Sequence, residues 1–459
     1  MSQSQFPPGP KDSMFGMRIV GEIKRNTLDF YDEMRRTYGD VVYMKLGPYH
    51  DYTLFHPDHI HELLTEKAKS FARMKRQMTV FRQWNGNSIL IAEGQDWLRQ
   101  RRLLQPAFQP KRFEAYSVEV NRATQVAIDG IVTANAPELD FERSMNNLTT
   151  DIICRTMFGA GLGDELDEAR TAVQILGDAA LKEIMQFYSL PLWVPLPSIR
   201  RKRWAIAKLH SIVDRFIRQR RSAGTDAGDL MSMLLLATDE QAGARSLSDV
   251  EVRDNCVTIL VAGHDTTAAG LTWLGWFLAS RPETAERVRA EIDAVLGDRP
   301  ATYADLAKLP FLDQTVKESL RHRPPTIAIF SRQVSERVEI GGYWLPKGAL
   351  VHVMSYNVHH DERWFDAPET FDPDRFSPER VGRIPPNAYF PFGIGPRACI
   401  GNSFARMEMM LVAVALLQRF TLAAAPRQVE PKPFPGVSLR PIGGMRLCCQ
   451  SRQDRRQLA

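Results

Sequence analysis

The sequence predicts a mainly α-helical fold with small β-sheets. Apolar residues recur at three- and four-residue spacing through most of the 459-residue chain, and only two short stretches carry strand composition. No internal repeat, low-complexity tract or Ser/Gly-rich linker divides it, so one domain is expected over 1–459, with flexible tails at 1–12 and 451–459.

In chain order, VVYMKLG (41 to 47) and DYTLFH (51 to 56) are rich in β-branched and aromatic residues around a Gly-Pro turn, the mark of a hairpin. Helical periodicity covers 97 to 133, 142 to 158, 164 to 187, 201 to 222, 248 to 280, 283 to 296, 311 to 322 and 403 to 419. A second strand pair, RVEIGG and YWLPKGALVHVM, flanks Gly341 and Gly342. The segments 72 to 95 and 358 to 402 read as long non-helical stretches, which in a compact domain tend to be functional. Between two helices, 188 to 200 alternates proline with large apolar residues. It looks like a mobile apolar flap, against the commoner reading of a buried inter-helix connection.

Composition narrows the class. With 44% hydrophobic and 25% charged residues the chain is an ordinary globular protein, and its net charge of +5 lacks the clustered basic runs of a nucleic-acid binder. Five cysteines (Cys154, Cys256, Cys399, Cys448, Cys449) form no CxxC pair and no disulfide framework, which points to a reducing compartment. The opening MSQSQFPPGP has neither the basic flank nor the apolar core of a signal or anchor, and no run approaches the ~18 apolar residues of a membrane span. A soluble, cytoplasmic monomer is expected.

The stretch 248 to 280 breaks a local rule. It starts with a capping-box pattern, Ser248 with Glu251, and stops before Pro282; at ~1.5 Å per residue it would run on the order of 50 Å. Its middle reads AGHDTT, where Gly263, Thr266 and Thr267 weaken the turn. Either two shorter helices meet there or a site does, and the apolar spacing resumes at Leu271, Trp273, Leu274 and Phe277. Gly263 would let a flat ligand approach the backbone. Asp265 and Thr266 pair an acid with a hydroxyl suited to proton delivery, while His264 reads as a satisfied structural histidine.

Elsewhere, Glu318 and Arg321 stand three apart on a helix, by themselves a surface pair, and Arg375 sits in the proline-punctuated loop FDPDRF. Trp97 and Arg101 lie four apart, able to grip an anion jointly or simply to pack.

These pieces occur in a known order. FGIGPRACIG (392 to 401) fits the pattern F-x-x-G-x-R-x-C-x-G at every specified position, and AGHDTT, ESLR and FDPDRF complete the set. The chain resembles a cytochrome P450 monooxygenase over essentially its whole length. The resemblance implies a triangular-prism fold with a long central helix over haem, and haem b ligated by the Cys399 thiolate, which pushes electron density onto the iron. It further implies that Trp97, Arg101, Arg332 and Arg397 hold the haem propionates and that Phe392 packs on the porphyrin. Gly393, Gly395 and Gly401 would let the loop turn tightly and aim backbone N–H groups at the sulfur. Glu318, Arg321 and Arg375 would form a buried structural triad.

By the same resemblance, O2 is the co-substrate; Thr266 steadies its reduced form and Asp265 gates protons from solvent. Relatives that run on peroxide often lack the acid–alcohol pair, so a peroxygenase is the alternative within the family; a haem sensor or carrier without turnover is the alternative outside it. No flavin or nicotinamide domain is fused, so NAD(P)H would act only indirectly, through an acidic ferredoxin or flavodoxin and its reductase. Arg99, Arg102, Lys111, Arg112 and Arg406 offer that partner a basic face. Some relatives place a glutamate before the helix glycine and esterify the haem through it. Here that position is Ala262, so haem is expected without that bond. By analogy the pocket is lined by Met78, Phe81, Ile89, Met185, Phe187, Leu260, Ala262, Gly263, Thr326, Ile327 and Phe330. Such an apolar lining would take a fatty acid, terpenoid, steroid or aromatic molecule.

Overall fold

The computed structural model describes residues 6–12, 15–159, 161–184, 186, 189–223, 228–239 and 245–452. The chain gathers into two compact units, one made of residues 1–79 and 318–399, the other of 80–317 and 400–459.

The first unit is built on a five-stranded sheet. Its order is Val41–Leu46, Tyr49–Leu54, Leu350–Val353, Ile329–Val334 and Phe71–Arg73. All pairings are antiparallel except that of Leu350–Val353 with Tyr49–Leu54. Strand residues point alternately to opposite faces, and Val41 and Val42 accordingly enter two different cores. Val41 joins Tyr52, Leu54, Leu63, Val351 and Phe390, whereas Val42 and Met44 join Ile19, Ile23, Phe30 and Met34. Those last four belong to the helices Met17–Arg25 and Thr27–Tyr38, absent from the sequence reading, which cover the sheet's second face. Without them a row of valine and methionine would face water, at about 1.5–3 kcal/mol for each side chain.

Residues 6–12, expected as part of a flexible tail, are tied down instead. The Tyr43 N–H donates to Pro8 O at 3.0 Å and the Phe6 ring stacks on Tyr43 at 4.6 Å. The smaller hairpin Val338–Ile340/Tyr343–Leu345 turns at Gly341 and Gly342, both at positive φ, as the sequence predicts.

The second unit centres on the helix Asp249–Ser280, which packs against Phe141–Phe158, Pro197–Ala223 and Asn402–Arg419. Both arms of its capping box form: the Glu251 N–H donates to Ser248 Oγ and the Ser248 N–H to a Glu251 carboxylate oxygen. The helix runs unbroken through AGHDTT, so the two-helix alternative does not hold. The stretch 97 to 133, expected as one helix, is three pieces: Gly94–Leu104, a 3-10 turn Gln105–Phe108 and Pro110–Ala134. Pro106 and Pro110 lack the N–H that would continue the ladder.

The stretch 72 to 95 contains a helix, Lys75–Asn85. The turn after it is pinned to the long helix by two donors. The Asn87 N–H reaches Asp254 Oδ2 at 3.0 Å and the Ile89 N–H reaches Asn255 Oδ1 at 2.9 Å. Gly86, at φ 51, faces Asp254 so closely that a Cβ would lie 1.9 Å from its carboxylate, a position only glycine tolerates. A small sheet of Phe420–Ala424, Arg446–Ser451 and Leu139–Asp140 closes the unit, with a separate hairpin of Pro433–Pro435 and Leu439–Pro441. Ser451 and Arg452, expected in the tail, are held: Arg452 binds Asp293 at 2.7 Å. The rest of that tail, 453–459, lies outside the described residues. In the apolar segment after 188, Trp193 is 76% exposed and Leu190 and Leu196 are exposed, so it is not a buried connection. Among the described residues no helix is long and apolar enough to cross a membrane.

Candidate active site

Of the predicted site residues, Cys399, Arg397, Phe392, Arg332, Glu318, Arg321 and Arg375 lie in the first unit; Asp265, Thr266, Trp97 and Arg101 lie in the second.

In the first unit the segment 390–399 folds into nested turns. The Gly393 N–H donates to Phe390 O at 2.9 Å, the Ala398 N–H to Gly395 O at 3.0 Å, and the Cys399 N–H to Phe392 O at 2.9 Å. Gly395 sits at φ 77 against Leu64 O, where a Cβ would lie only 2.1 Å away. The turns leave the Cys399 thiol exposed, alone among the five cysteines. Burial pushes the Cys154 and Cys256 thiols far up and that of Cys449 up to about 12, so those three are poor thiolates at neutral pH. Phe392 and Arg397 are half-buried beside the thiol; Arg332 is buried, its guanidinium on Phe330 O. A soft thiol offered from a tight loop that also carries a guanidinium suits an iron porphyrin with carboxylate arms. Gly401 lies in the second unit, where it caps the helix Asn402–Arg419.

Glu318, Arg321 and Arg375 are joined in one fully buried cluster rather than a surface pair. Arg321 grips Glu318 with Nε and Nη2 at 2.7 and 2.8 Å, and spends its remaining donors on His359 O and Pro368 O at 2.7 and 2.8 Å. Arg375 Nε lies 3.3 Å from Glu318 and its Nη1 donates to Asp366 O at 2.7 Å. The Asp372 N–H adds a further bond to Glu318 at 2.9 Å. Three buried histidines surround this cluster. Desolvation, helped by the guanidiniums, pushes His322 and His359 down to about 3 and His360 well below its usual value. His322, His360 and Glu369 bring donor atoms within 4.8 Å of one another. Arg323 already holds His322 Nδ1 at 2.6 Å and Glu369 O holds Nε2 at 2.9 Å, and two guanidiniums face the cluster, which disfavours a cation.

In the second unit the long helix is buried on almost every side from Asp254 to Leu278, apart from one strip. That strip consists of Val261, Ala262, Gly263 and Thr266, with Ala262 the most open. Leu260, predicted to line the pocket, turns into the core at 1% exposure; Val261 holds the open place. The side where Gly263 lacks a Cβ is occupied by Ile153, 3.2 Å from where that atom would be, so the glycine serves helix packing there. Thr266 Oγ1 donates to Ala262 O at 2.6 Å. Asp265 points elsewhere, into an ion pair with Arg440. His264 is buried but not satisfied: neither ring nitrogen has a partner, and burial pushes it down to about 4, so it is neutral.

Trp97 and Arg101 are both half-buried on one side of Gly94–Leu104. The expected basic face loses Arg99, which falls on the inward side with Gln100, Leu103 and Leu104 and pairs with Glu251. Arg406 pairs with Asp313; Lys111 is exposed, and Arg102 and Arg112 are half-exposed. Among the lining candidates, Met78 and Ile89 are buried, Phe81 packs edge-on against Trp84 at 5.5 Å, and Thr326, Ile327 and Phe330 are half-buried. Met185 and Phe187 lie outside the described residues.

A family model described as cytochrome P450 matches residues 7–449. The chain belongs to the cytochrome P450 family. It is 35% identical over 406 residues to cyclooctat-9-en-7-ol 5-monooxygenase of Streptomyces melanosporofaciens, covering 88% of this chain and 84% of that one. Cyclooctatin synthase of the same organism is 33% identical, with 94% and 92% covered, and human cytochrome P450 4F3 is 31% identical, with 96% and 89% covered. A solved structure described as retinoic acid bound cyanobacterial CYP120A1 superposes with a TM-score of 0.83 at 26% identity, covering 97% of this chain and 99% of that one. The mainly helical fold with small sheets is therefore that of a P450, and the protein is a haem monooxygenase that uses cysteine-ligated haem and O2 with electrons from redox partners.

Sequence reasoning missed Arg440, Asp254 and Asn255. The last two carried a signal, adjacent polar residues in the apolar run of a long helix. Arg440, 175 residues from its partner, carried none.

Proposed function

We propose that this P450 hydroxylates a large, mostly hydrocarbon terpenoid, with electrons delivered by a separate acidic ferredoxin or flavodoxin. The relative named for 5-monooxygenation of cyclooctat-9-en-7-ol carries the substrate class. The apolar character of Met78, Phe81, Ile89, Ile327 and Phe330 supports it, and the retinoic acid of the CYP120A1 title is a molecule of similar character.

In this reading the Cys399 thiolate would hold the haem iron, and Arg397, Arg332, Trp97 and Arg101 would neutralise the propionates. Bound to Cys399, the haem supplies the reduction and cleavage of dioxygen and the insertion of one oxygen atom into a C–H bond. The protein's own part is to orient the substrate, exclude water and time two protons. Thr266 spends its hydrogen on Ala262 O, so its lone pairs are available to accept a proton or hydrogen bond; Asp265 is the acid that delivers the proton. Retention of both groups favours oxygen-driven over peroxide-driven turnover. Ala262 has no carboxylate, so the haem carries no ester bond at this position. Arg102, Lys111, Arg112 and Arg406 are the docking cations for the electron carrier.

Cyclic terpenoid alcohols and retinoids should displace the distal water and shift the iron spin state, and a ferredoxin–reductase system should then yield a product one oxygen atom heavier. Binding and turnover confined to straight-chain fatty acids would overturn the substrate class, and turnover with peroxide alone would overturn the oxygen-driven reading.

A further inference from the structure

The turn that follows the helix Lys75–Asn85 is fastened to the long helix by a closed ring of hydrogen bonds, none of them made by a residue assigned to haem or oxygen. The Asn87 N–H donates to Asp254 Oδ2 at 3.0 Å and the Ile89 N–H to Asn255 Oδ1 at 2.9 Å. Asn255 Nδ2 donates to Gln100 Oε1 at 3.0 Å, and Gln100 Nε2 returns to the turn at Asn87 O, 2.7 Å away. Asn255 and Gln100 are fully buried and Asp254 nearly so. Gly86 completes the seat, since a Cβ there would overlap the Asp254 carboxylate.

Buried amides left without partners are costly, and apolar residues would pack this stretch of helix without that risk. Here the side chains satisfy backbone N–H groups of a turn that has no ladder of its own. They also join three elements: Asp254 and Asn255 on Asp249–Ser280, Gln100 on the helix that carries Trp97 and Arg101, and the turn itself. Arg99, inward on the same helix as Gln100, adds its ion pair with Glu251, one turn before Asn255.

The place of this turn on the long helix gives it a role. Asn255 precedes Ala262, and Asp254 precedes Val261, by a spacing close to two turns, about 20° short, with about 10 Å of rise. Val261 and Ala262 belong to the strip that the helix leaves open. The turn 87–89 therefore covers the same face of the helix just before that strip begins, and Ile89, held by its own N–H, stands at the border.

We propose that Asn255, backed by Gln100 and Asp254, is a positioning residue for substrate selectivity: it fixes Ile89 as one wall of the space over the open strip and so decides which carbon of a terpenoid is presented for oxygenation. The proposal rests on the substrate reading above. A large hydrocarbon offers few polar handles, so the shape of the walls sets its orientation, and a wall displaced by about 1 Å changes which C–H bond lies within reach. A clamp of this kind holds such a wall because movement of the turn breaks the bonds at Asn87 and Ile89 together.

The test compares wild type with Asn255→Leu, Asn255→Asp, Gln100→Leu and Ile89→Ala, all as holoprotein, with the bicyclic diterpenoid alcohol sclareol as probe. One readout is hydrogen–deuterium exchange of the segment 86–92 in the substrate-free ferric form; the other is the ratio of positional alcohols formed with a ferredoxin–reductase system. Asn255→Leu should speed exchange of the segment about tenfold and change the product ratio about tenfold. Gln100→Leu should act in the same direction to a smaller extent, which keeps the test open if Asn255→Leu fails to fold. Asn255→Asp retains the acceptor for the Ile89 N–H and should keep the wild-type ratio, whereas Ile89→Ala should change it. A wild-type product ratio in Ile89→Ala, or in folded Asn255→Leu and Gln100→Leu, would overturn the proposal even if their melting temperatures fell, since that is the outcome of a purely structural bond. Unchanged exchange in those two leucine variants would refute the clamp without any turnover. If wild type leaves sclareol unoxidised, the substrate reading fails and the selectivity claim with it, while the exchange result still decides the clamp on its own.

Discussion

Two carboxylate–guanidinium pairs in this protein use the same chemistry to opposite ends. Around Glu318 the strong donors have fixed acceptors: two arginines, five backbone carbonyls and a backbone N–H complete a buried cluster. Around Asp265 there is one arginine, partly open and carried on a two-stranded hairpin, beside a histidine whose ring nitrogens have no partners. Removing one partner of a saturated buried pair strands a charge in low dielectric, whereas a half-open pair can break and re-form. The first arrangement suits a permanent scaffold and the second a group that must change state.

The largest expected effect lies in the saturated cluster. Glu318→Ala leaves Arg321 and Arg375 buried without their carboxylate, a loss of about 3–5 kcal/mol. Little haem-containing protein should be recovered, as read by the ratio of haem absorbance to protein. Fully loaded, active Glu318→Ala enzyme would erase the distinction drawn above.

Acid should find the same region next. His322 and His359 have folded pKa values of about 3, and His360 lies well below its usual value, all chiefly through burial. The unfolded chain, with histidines near 6.5, binds more protons than the folded one below that pH. The stability is therefore fully present above about pH 6.5 and falls as pH drops toward 3, by about 1.4 kcal/mol per pH unit for each histidine. Urea unfolding between pH 7 and 5 should show this slope. His359→Gln should flatten it by one group; an unchanged slope would mean that the ring is charged in the fold.

Glu408 offers a smaller test, an acid with no guanidinium at all. It is buried, its Oε1 has no partner, and burial raises its pKa well above the usual value. Here the folded state binds the extra proton, so stability is lost as pH rises from the unfolded pKa of about 4.5 toward the folded value. Glu408→Gln should remove that loss, gaining on the order of 1 kcal/mol near neutral pH and nothing at pH 4 in the same unfolding experiment. An equal change at both pH values would show that the carboxyl is ionised in the fold.

What the sequence disclosed follows the range of the interactions involved. The long helix, its capping box and the turns before Cys399 are written in residues close together in the chain, so Ser248 with Glu251 and Gly393 with Gly395 could be read directly. Met17–Tyr38 went unread because its apolar stripes are short and make sense only once the second face of the sheet, with Val42 and Met44, is known to need cover. The breaks at Pro106 and Pro110 were visible and were overridden by apolar spacing that continues across them. Trp97 and Arg101 could be placed on one side from their spacing alone, but the same helix turns Arg99 inward to Glu251, which is fixed by packing against an element 152 residues away. Arg440 and His264 mark the limit: which charge meets Asp265, and which ring is left without a partner, depends on tertiary placement that no local pattern encodes.

The central claim is that Cys399 supplies the thiolate bound to haem iron. Its most direct test is the absorption spectrum of the dithionite-reduced, carbon monoxide-treated protein, recorded for wild type and for Cys399→Ser. Wild type should show the strongly red-shifted Soret band of a thiolate-ligated ferrous carbonyl and the variant should lose it. Absence of that band from haem-loaded wild type, or its persistence in Cys399→Ser, would contradict the account.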